Sequence, residues 1–337
     1  MRGSGRVIVT ALAALAALAA ACGSSPKGPR VPVVIPPGAT LESATDSLVA
    51  HGVLRSAGAF RLYARLRGLP AALKSGDYML PRDAAWSDLI ATLSRGHGIE
   101  VRWTVPEGLM LWEVADLAQS ELGVSSDSFL AAARDPVIRR DAGVPPEAPS
   151  VEGYLFPTTY VVPAHVGARE LVRVMTRAFA AHWDSAWTNR LDTLRLSRHQ
   201  LVTLASIVEA EVRYDPDRPF VAAVYLNRFR QGMKLEADPT VIYAYGRRLK
   251  RVWDKNLLVS SPYNTYLHVG LPPGPIGEPG RASLLAALYP APLPFLYFVA
   301  QPDGKHIFST TYAEHEAAIQ TVKRQRAEAR APQPRGR

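Results

Sequence analysis

The chain has 337 residues, 47% hydrophobic and 20% charged, a globular composition with a sizeable core rather than a disordered one. Its formal net charge of +9 sits at the ends, +4 in residues 1–30 and +5 in residues 321–337, which leaves residues 31–320 formally neutral. That balance excludes a broadly basic, nucleic-acid-binding body, and the single cysteine, Cys22, excludes an internal disulfide or a cysteine-built metal site.

The chain opens with the positive stretch MRGSGR, the apolar run VIVTALAALAALAA, and LAAAC, which puts Ala19, Ala20 and Ala21 directly before Cys22. Residues 1–22 read as a secretory signal ending in a lipobox, with Cys22 as the lipidated first residue. An uncleaved anchor helix and an ordinary cleaved signal are the alternatives; the run is shorter than the ~20 residues that span a bilayer. All three place the bulk of the chain outside the cytoplasm. Residues 23–30 read as a polar linker, and the basic residues 321–337 as a solvated tail suited to anionic lipid or cell-wall polymer.

Between these ends strands and helices alternate, as in an α+β fold. VPVVIPPGAT is a strand with a Pro-Gly turn, and Thr40 then caps a helix that Gly52 closes. A helix after Ser56, a strand at SGDYMLP and a helix ending at Gly96 complete a first small region, residues 31–98. The pattern then restarts: residues 34–60 and 104–129 both run strand, Pro-x-Gly turn, amphipathic helix, Gly-Val break, serine cap and Phe. This is either an internal duplication or generic strand–helix grammar. It defines a second small region, 99–149. The Pro- and Gly-rich stretch 141–163 marks a boundary, and residues 150–320 form the largest region. There the pattern predicts one long helix near 167–187, a Ser197-capped helix SRHQLVTLASIVEAEVR, and a helix closed by Gly232. A loop dense in Tyr, Asn, Pro and Gly follows, then the helix RASLLAALYP, a buried strand FLYFVAQ paired with KHIFS, and a last helix through residue 330.

Common catalytic signatures, G-x-S-x-G, H-E-x-x-H, a Walker loop and G-x-G-x-x-G, are missing from the sequence, and its eight histidines lack metal-ligand spacing; His306 and His315 read as surface or structural. Acid–base chemistry therefore falls to carboxylates. On a wheel of about 100° per residue, Leu201, Ala205, Val208 and Val212 centre the apolar face of the Ser197-capped helix. Glu209 falls at its edge, in reach of Arg213 as an i,i+4 ion pair. Glu211 falls inside the apolar arc, between Leu204 and Ile207. A carboxyl among hydrocarbon favours its neutral form, as a general acid near pH 7 requires; a tertiary partner such as Arg228 is the competing explanation.

EGYLFPTTY (152–160), LASIVEAE (204–211), VAAVYLNRFRQGMKLEADPTVIYAYG (221–246), SPYNTYLHVGLPPGPIGEPGRASLLAALYPA (261–291) and LYFVAQPDGKHIFSTTYAEHEAAI (296–319) together resemble the MltG-type (YceG-like) endolytic murein transglycosylases. The resemblance runs through residues 150–320; residues 31–98 resemble a LysM peptidoglycan-binding module in layout more than in residues. It implies an N-terminal LysM-like αβ region, a mixed α/β catalytic domain, and a lyase that cuts glycan strands between N-acetylmuramic acid and N-acetylglucosamine to leave 1,6-anhydro ends. Glu211 would be its single acid/base, with no metal or cofactor. The resemblance implies partners in glycan strands and wall-synthesis enzymes. Tyr154, Tyr243, Tyr263 and Tyr266 would offer rings to sugars; Asn227, Arg228, Asp238, Thr240, Asn264 and Thr265 would offer hydrogen bonds. For each tyrosine core packing is the competing reading, and Asp238-Pro239 equally suits a helix start with Asp238 as N-cap. Two features depart from the family: a lipobox where a transmembrane anchor is usual, and Glu236 where glutamine is expected.

Overall fold

The computed structural model describes residues 28–96, 98, 100–249 and 251–330. The signal segment, Cys22, most of the linker and the end of the basic tail lie outside the described residues. The elements in order are β1 (Arg30–Ile35), α1 (Leu41–Ala50), α2 (Ala57–Leu66), the short α3 (Leu69–Ala72), β2 (Gly76–Pro81), α4 (Trp86–Arg95), β3 (Glu100–Thr104), α5 (Leu111–Leu122), α6 (Ser126–Ala133), α7 (Pro136–Asp141) and β4 (Thr159–Pro163). Then come α8 (Ala168–His182), α9 (Ser185–Leu194), α10 (Arg198–Glu211), α11 (Arg218–Arg230), α12 (Asp238–Ala244), α13 (Arg281–Leu288), β5 (Tyr297–Ala300), β6 (His306–Ser309) and α14 (Tyr312–Arg330). The strands form two-stranded sheets, β1 with β2, β3 with β4 and β5 with β6, so the fold is mixed α/β with small sheets.

The described chain forms two compact units that interleave along the sequence. The first runs to Trp103 and includes Ser120–Val124 and Thr159–Gly167. Its strands β1 and β2 pair antiparallel with Val33 opposite Tyr78, and their inward faces meet Leu48, Phe60, Leu89 and Leu93 from α1, α2 and α4. Thr40 caps α1 by accepting the Ser43 N–H at 3.2 Å, and Gly96 ends α4 in the left-handed conformation. Ser56 stands at the N-cap of α2 with no side-chain bond.

The second unit comprises Thr104–Gln119, Ser125–Thr158 and everything from Ala168 onward. Its centre is α10, packed against α11 and α13. Ser197 and Gln200 form a reciprocal capping box at its start. Every residue from Leu201 to Val208 is buried, so this helix is covered all round rather than on one face. Gly153 packs close to it. That glycine has φ +81°, and a Cβ there would lie 2.5 Å from Pro275 and 2.9 Å from Val202, so the EGYLFP turn admits no other residue without displacement.

Three expectations change. The long helix near 167–187 is two helices, because Asp184 breaks the run and caps α9 through the Ala186 N–H at 2.8 Å. The FLYFVAQ strand is half-buried rather than buried, and only Tyr297–Ala300 are paired. The Ser197-capped helix stops at Glu211, since Val212 turns extended with φ −93° and ψ 125°.

Candidate active site

That early stop decides the fate of both glutamates. Arg213 lies beyond the helix, so the expected i,i+4 pair with Glu209 is replaced. Glu209 instead accepts from Arg218 at 3.1 Å and from the Gly280 N–H at 3.0 Å, and both partners of the ion pair are buried. Glu211 turns to the wall of a cavity of about 290 Å³, lined also by Tyr225, Arg228, Glu236, Asp238, Tyr266, Phe298 and His315.

Burial pushes the Glu211 carboxyl up to about 7. The hydroxyl of Tyr225, donating to Oε1 at 2.9 Å, opposes the rise, and the nearby Asp238 adds to it. Its place at the electronegative end of α10 also favours the neutral acid. Tyr225 comes from α11 and is held edge-on by Phe298 at 5.7 Å. The carboxyl thus has an aromatic hydroxyl as partner, and the competing expectation of Arg228 is not met.

Arg228 is engaged elsewhere. Its Nε donates to the Leu296 carbonyl at 2.6 Å, and its Nη1 to the carbonyls of Lys234 and Leu235 and to Glu236 Oε2 at 2.9 Å. It clamps the loop before α12 against β5. Glu236, in that loop, holds φ +54°, a conformation costly for a side-chain-bearing residue and one that clusters at functional sites. The acid that replaces the expected glutamine is therefore pinned at the cavity. Asp238 accepts from Tyr266 at 2.7 Å; the N-cap of α12 is Ala237, so Asp238 opens the helix instead of capping it. His315 lines the cavity from α14 with its ring stacked on Tyr297 at 5.2 Å, whereas His306 is structural, bound to Asp217 at 3.0 Å.

Of the residues expected at the site, the cavity brings together Glu211, Arg228, Asp238 and Tyr266. Others hold the scaffold. The Thr240 and Thr265 hydroxyls meet at 2.9 Å and fix the Ala237 backbone. Asn264 is fully buried and donates to the Leu257 and Val259 carbonyls. Asn227 donates to the Leu293 and Phe295 carbonyls beside a separate groove. Tyr154 is buried with its hydroxyl 3.1 Å from His199 Nδ1. Tyr243 packs between Trp112 and Tyr263 with tilted rings and donates to Glu152 at 3.1 Å. Tyr225 and Phe298 join the cavity without having stood out in the sequence, and His315, expected to be surface or structural, lines it from α14.

Tyr243 leads to a buried acid pair with no counterpart in the sequence reading. Glu152 accepts the Leu111 N–H at 2.7 Å, and Glu278 accepts the Leu155 N–H at 2.9 Å. Burial raises both carboxyls, and the charge of Glu152 raises Glu278 further. A folded-state pKa above the unfolded value gives stability that is fully present below the ordinary 4.5 and is lost as pH climbs toward the raised value. Glu278→Gln keeps an acceptor for Leu155 and removes the charge. Its melting temperature is expected to fall less than wild type between acid and mildly alkaline pH; an unchanged slope in thermal melts across pH would refute this.

The sequence profile of the YceG-like family matches residues 33–321. An endolytic murein transglycosylase of Bacillus subtilis (strain 168) is 31% identical over 302 residues, covering 86% of this chain and 83% of the relative. An endolytic murein transglycosylase of Streptococcus pneumoniae serotype 2 is 28% identical over 314 residues, and there the match spans 55% of the relative's length. The crystal structure of a YceG-like protein of Listeria monocytogenes superimposes with a TM-score of 0.60 at 30% identity, over 86% of this chain and 99% of that one.

Proposed function

The chain belongs to the YceG-like family, and on that premise we propose that it is a lyase cutting peptidoglycan glycan strands internally between N-acetylmuramic acid and N-acetylglucosamine. The observation that carries this reading is Glu211: a carboxyl raised to about 7, at a cavity wall, hydrogen-bonded to Tyr225. A carboxyl so poised donates a proton at neutral pH. In the proposed step Glu211 protonates the bridging oxygen as the bond to the muramic anomeric carbon breaks. The sugar's own 6-hydroxyl closes on that carbon, and its proton passes to the Glu211 carboxylate, which restores the acid. One carboxyl suffices because no external water is activated, in contrast to the two carboxyls of ordinary glycosidases. Glu236 and Asp238, held by Arg228 and Tyr266, are positioned to order hydroxyl and N-acetyl groups.

The same reading makes residues 150–320 the catalytic region. Residues 31–98 become a LysM-like glycan-binding region, which their two-stranded sheet backed by helices supports. The N-terminal segment, through Cys22 or as an anchor helix, would hold the chain on the extracytoplasmic face of a membrane near wall-synthesis enzymes. Among the described residues no helix is long and apolar enough to cross a membrane.

Digestion of purified sacculi with the full chain, followed by mass spectrometry, tests the activity. Anhydro ends are expected; reducing ends would mean hydrolysis, and no release would mean a wall-binding protein without cleavage. Tyr225→Phe refines the assignment. Loss of a hydrogen bond that favours the carboxylate raises the Glu211 pKa, so the alkaline limb of the pH–rate profile is expected to move to higher pH. A limb that moves down contradicts the role given to Glu211.

A further inference from the structure

The folded body is formally neutral, yet one twelve-residue stretch is not: residues 247–258, RRLKRVWDKNLL, carry five cations against Asp254. Arg248 is spent on Glu113, which it meets at 2.7 Å. Arg247, Arg251 and Lys255 are exposed. Apolar side chains stand out among them: Trp253 is 54% exposed and Leu258 74% exposed. The Arg251 guanidinium lies over the Trp253 ring at 4.1 Å. Buried Asn264 ties Leu257 and Val259 to the next loop, where Leu267 and Val269 are exposed as well. The loop is built to keep this arrangement, because the Trp253 N–H donates to Asn256 Oδ1 at 2.9 Å and the Asn256 N–H donates to the Trp253 carbonyl at 2.7 Å, which fixes the turn Asp254–Leu258.

We propose that Arg247, Arg251, Trp253, Lys255 and Leu258, with Leu267 and Val269 beside them, dock the second unit on an anionic phospholipid surface. Exposed Leu and Val gain nothing from water and little from a soluble polyanion; they gain by entering an apolar phase. A tryptophan ring bearing a cation suits the boundary between headgroup and acyl chain, with the apolar body inward and the charge outward. The flanking cations meet anionic headgroups, an attraction that falls off within a Debye length. The loop follows directly on α12, whose first residue, Asp238, lines the cavity. Docking would therefore fix the height of the cavity above the bilayer. The proposal concerns binding alone and stands whether or not the chain cleaves glycan.

Hydrogen exchange read by mass spectrometry tests it on the full chain reconstituted in phosphatidylcholine vesicles with and without phosphatidylglycerol. The N-terminal segment is present in both samples, so a difference confined to peptides covering 247–258 reports the loop. Protection is expected with phosphatidylglycerol, lost at high salt, and lost in Arg251→Glu/Lys255→Glu. Equal exchange in the two vesicles overturns the proposal. So does protection by an anionic wall polymer in the absence of anionic lipid. Thermal melts check that the charge-reversed chain is folded; if it is not, the wild-type comparison of the two vesicles still decides.

Discussion

Glu211→Gln is expected to abolish release of anhydro-muropeptides, a loss of at least the roughly 10²–10⁴-fold typical of a general acid. Glutamine keeps the size of the side chain and an acceptor for the Tyr225 hydroxyl. It lacks the transferable proton. In the unsubstituted chain the rate should be highest below about 7, where the carboxyl is protonated, and should fall above it. Stability should follow the same course with pH. The folded-state pKa is raised, so the stability linked to this group is present at acid pH and lost as pH rises through about 7. Glu211→Gln is therefore expected to melt no lower than wild type at pH 8. Purified sacculi and thermal melts on the two chains, side by side, measure both. An active, normally folded Glu211→Gln chain sinks the mechanism; an inactive chain that melts well below wild type would leave a structural role in its place.

Glu211 was legible because the wheel put it among Leu204 and Ile207 without a local partner, and that conflict between charge and surroundings is real in the structure. The wheel erred in its assumption of a single apolar face. Residues 201–208 are buried throughout, so each carboxylate on α10 has to be satisfied by another element: Tyr225 for Glu211 and Arg218 for Glu209. Helix spacing cannot name such partners. The polar residues of the Tyr- and Asn-rich loops posed the opposite problem. A loop without repeating strand or helix geometry gives no periodicity to tell an inward side chain from an outward one. Thr240, Thr265 and Asn264 hold backbone there, and Tyr243 meets a buried acid. Phe298 carries no mark in the sequence and His315 reads there as surface or structural, because β5 and α14 bring them to the cavity only through tertiary packing.

Glu209→Ala is expected to destabilise the fold by about 3 kcal/mol, the low end for breaking a buried ion pair. As the exposed i,i+4 pair with Arg213 that the sequence suggests, Glu209 would have been worth only about 0.3–0.5 kcal/mol. The difference is burial. Arg218 is 10% exposed and Glu209 7% exposed, so the charge left behind has little water to turn to. The substitution also strips the acceptor from the Gly280 N–H, at the start of α13. Full loss is avoided because Arg218 keeps Asp215 at 3.1 Å and the Ser283 hydroxyl. Removing Glu209 also relieves Glu107, whose carboxyl is raised by burial and by the Glu209 charge. Thermal melts give the magnitude, at roughly 2–4 °C per kcal/mol for a unit of this size. The partner test is a double substitution. If the loss comes from the stranded guanidinium, Glu209→Leu with Arg218→Met should recover much of the stability that either single change removes, since two apolar side chains leave no charge to bury. A Glu209→Ala chain that melts with wild type would mean the Glu209–Arg218 pair is solvated and contributes little. Assays below the lowered melting point separate the two glutamates: Glu209→Ala should still release anhydro ends there, because its partners fasten α10 to α11 and α13, while the proposed proton donor is Glu211.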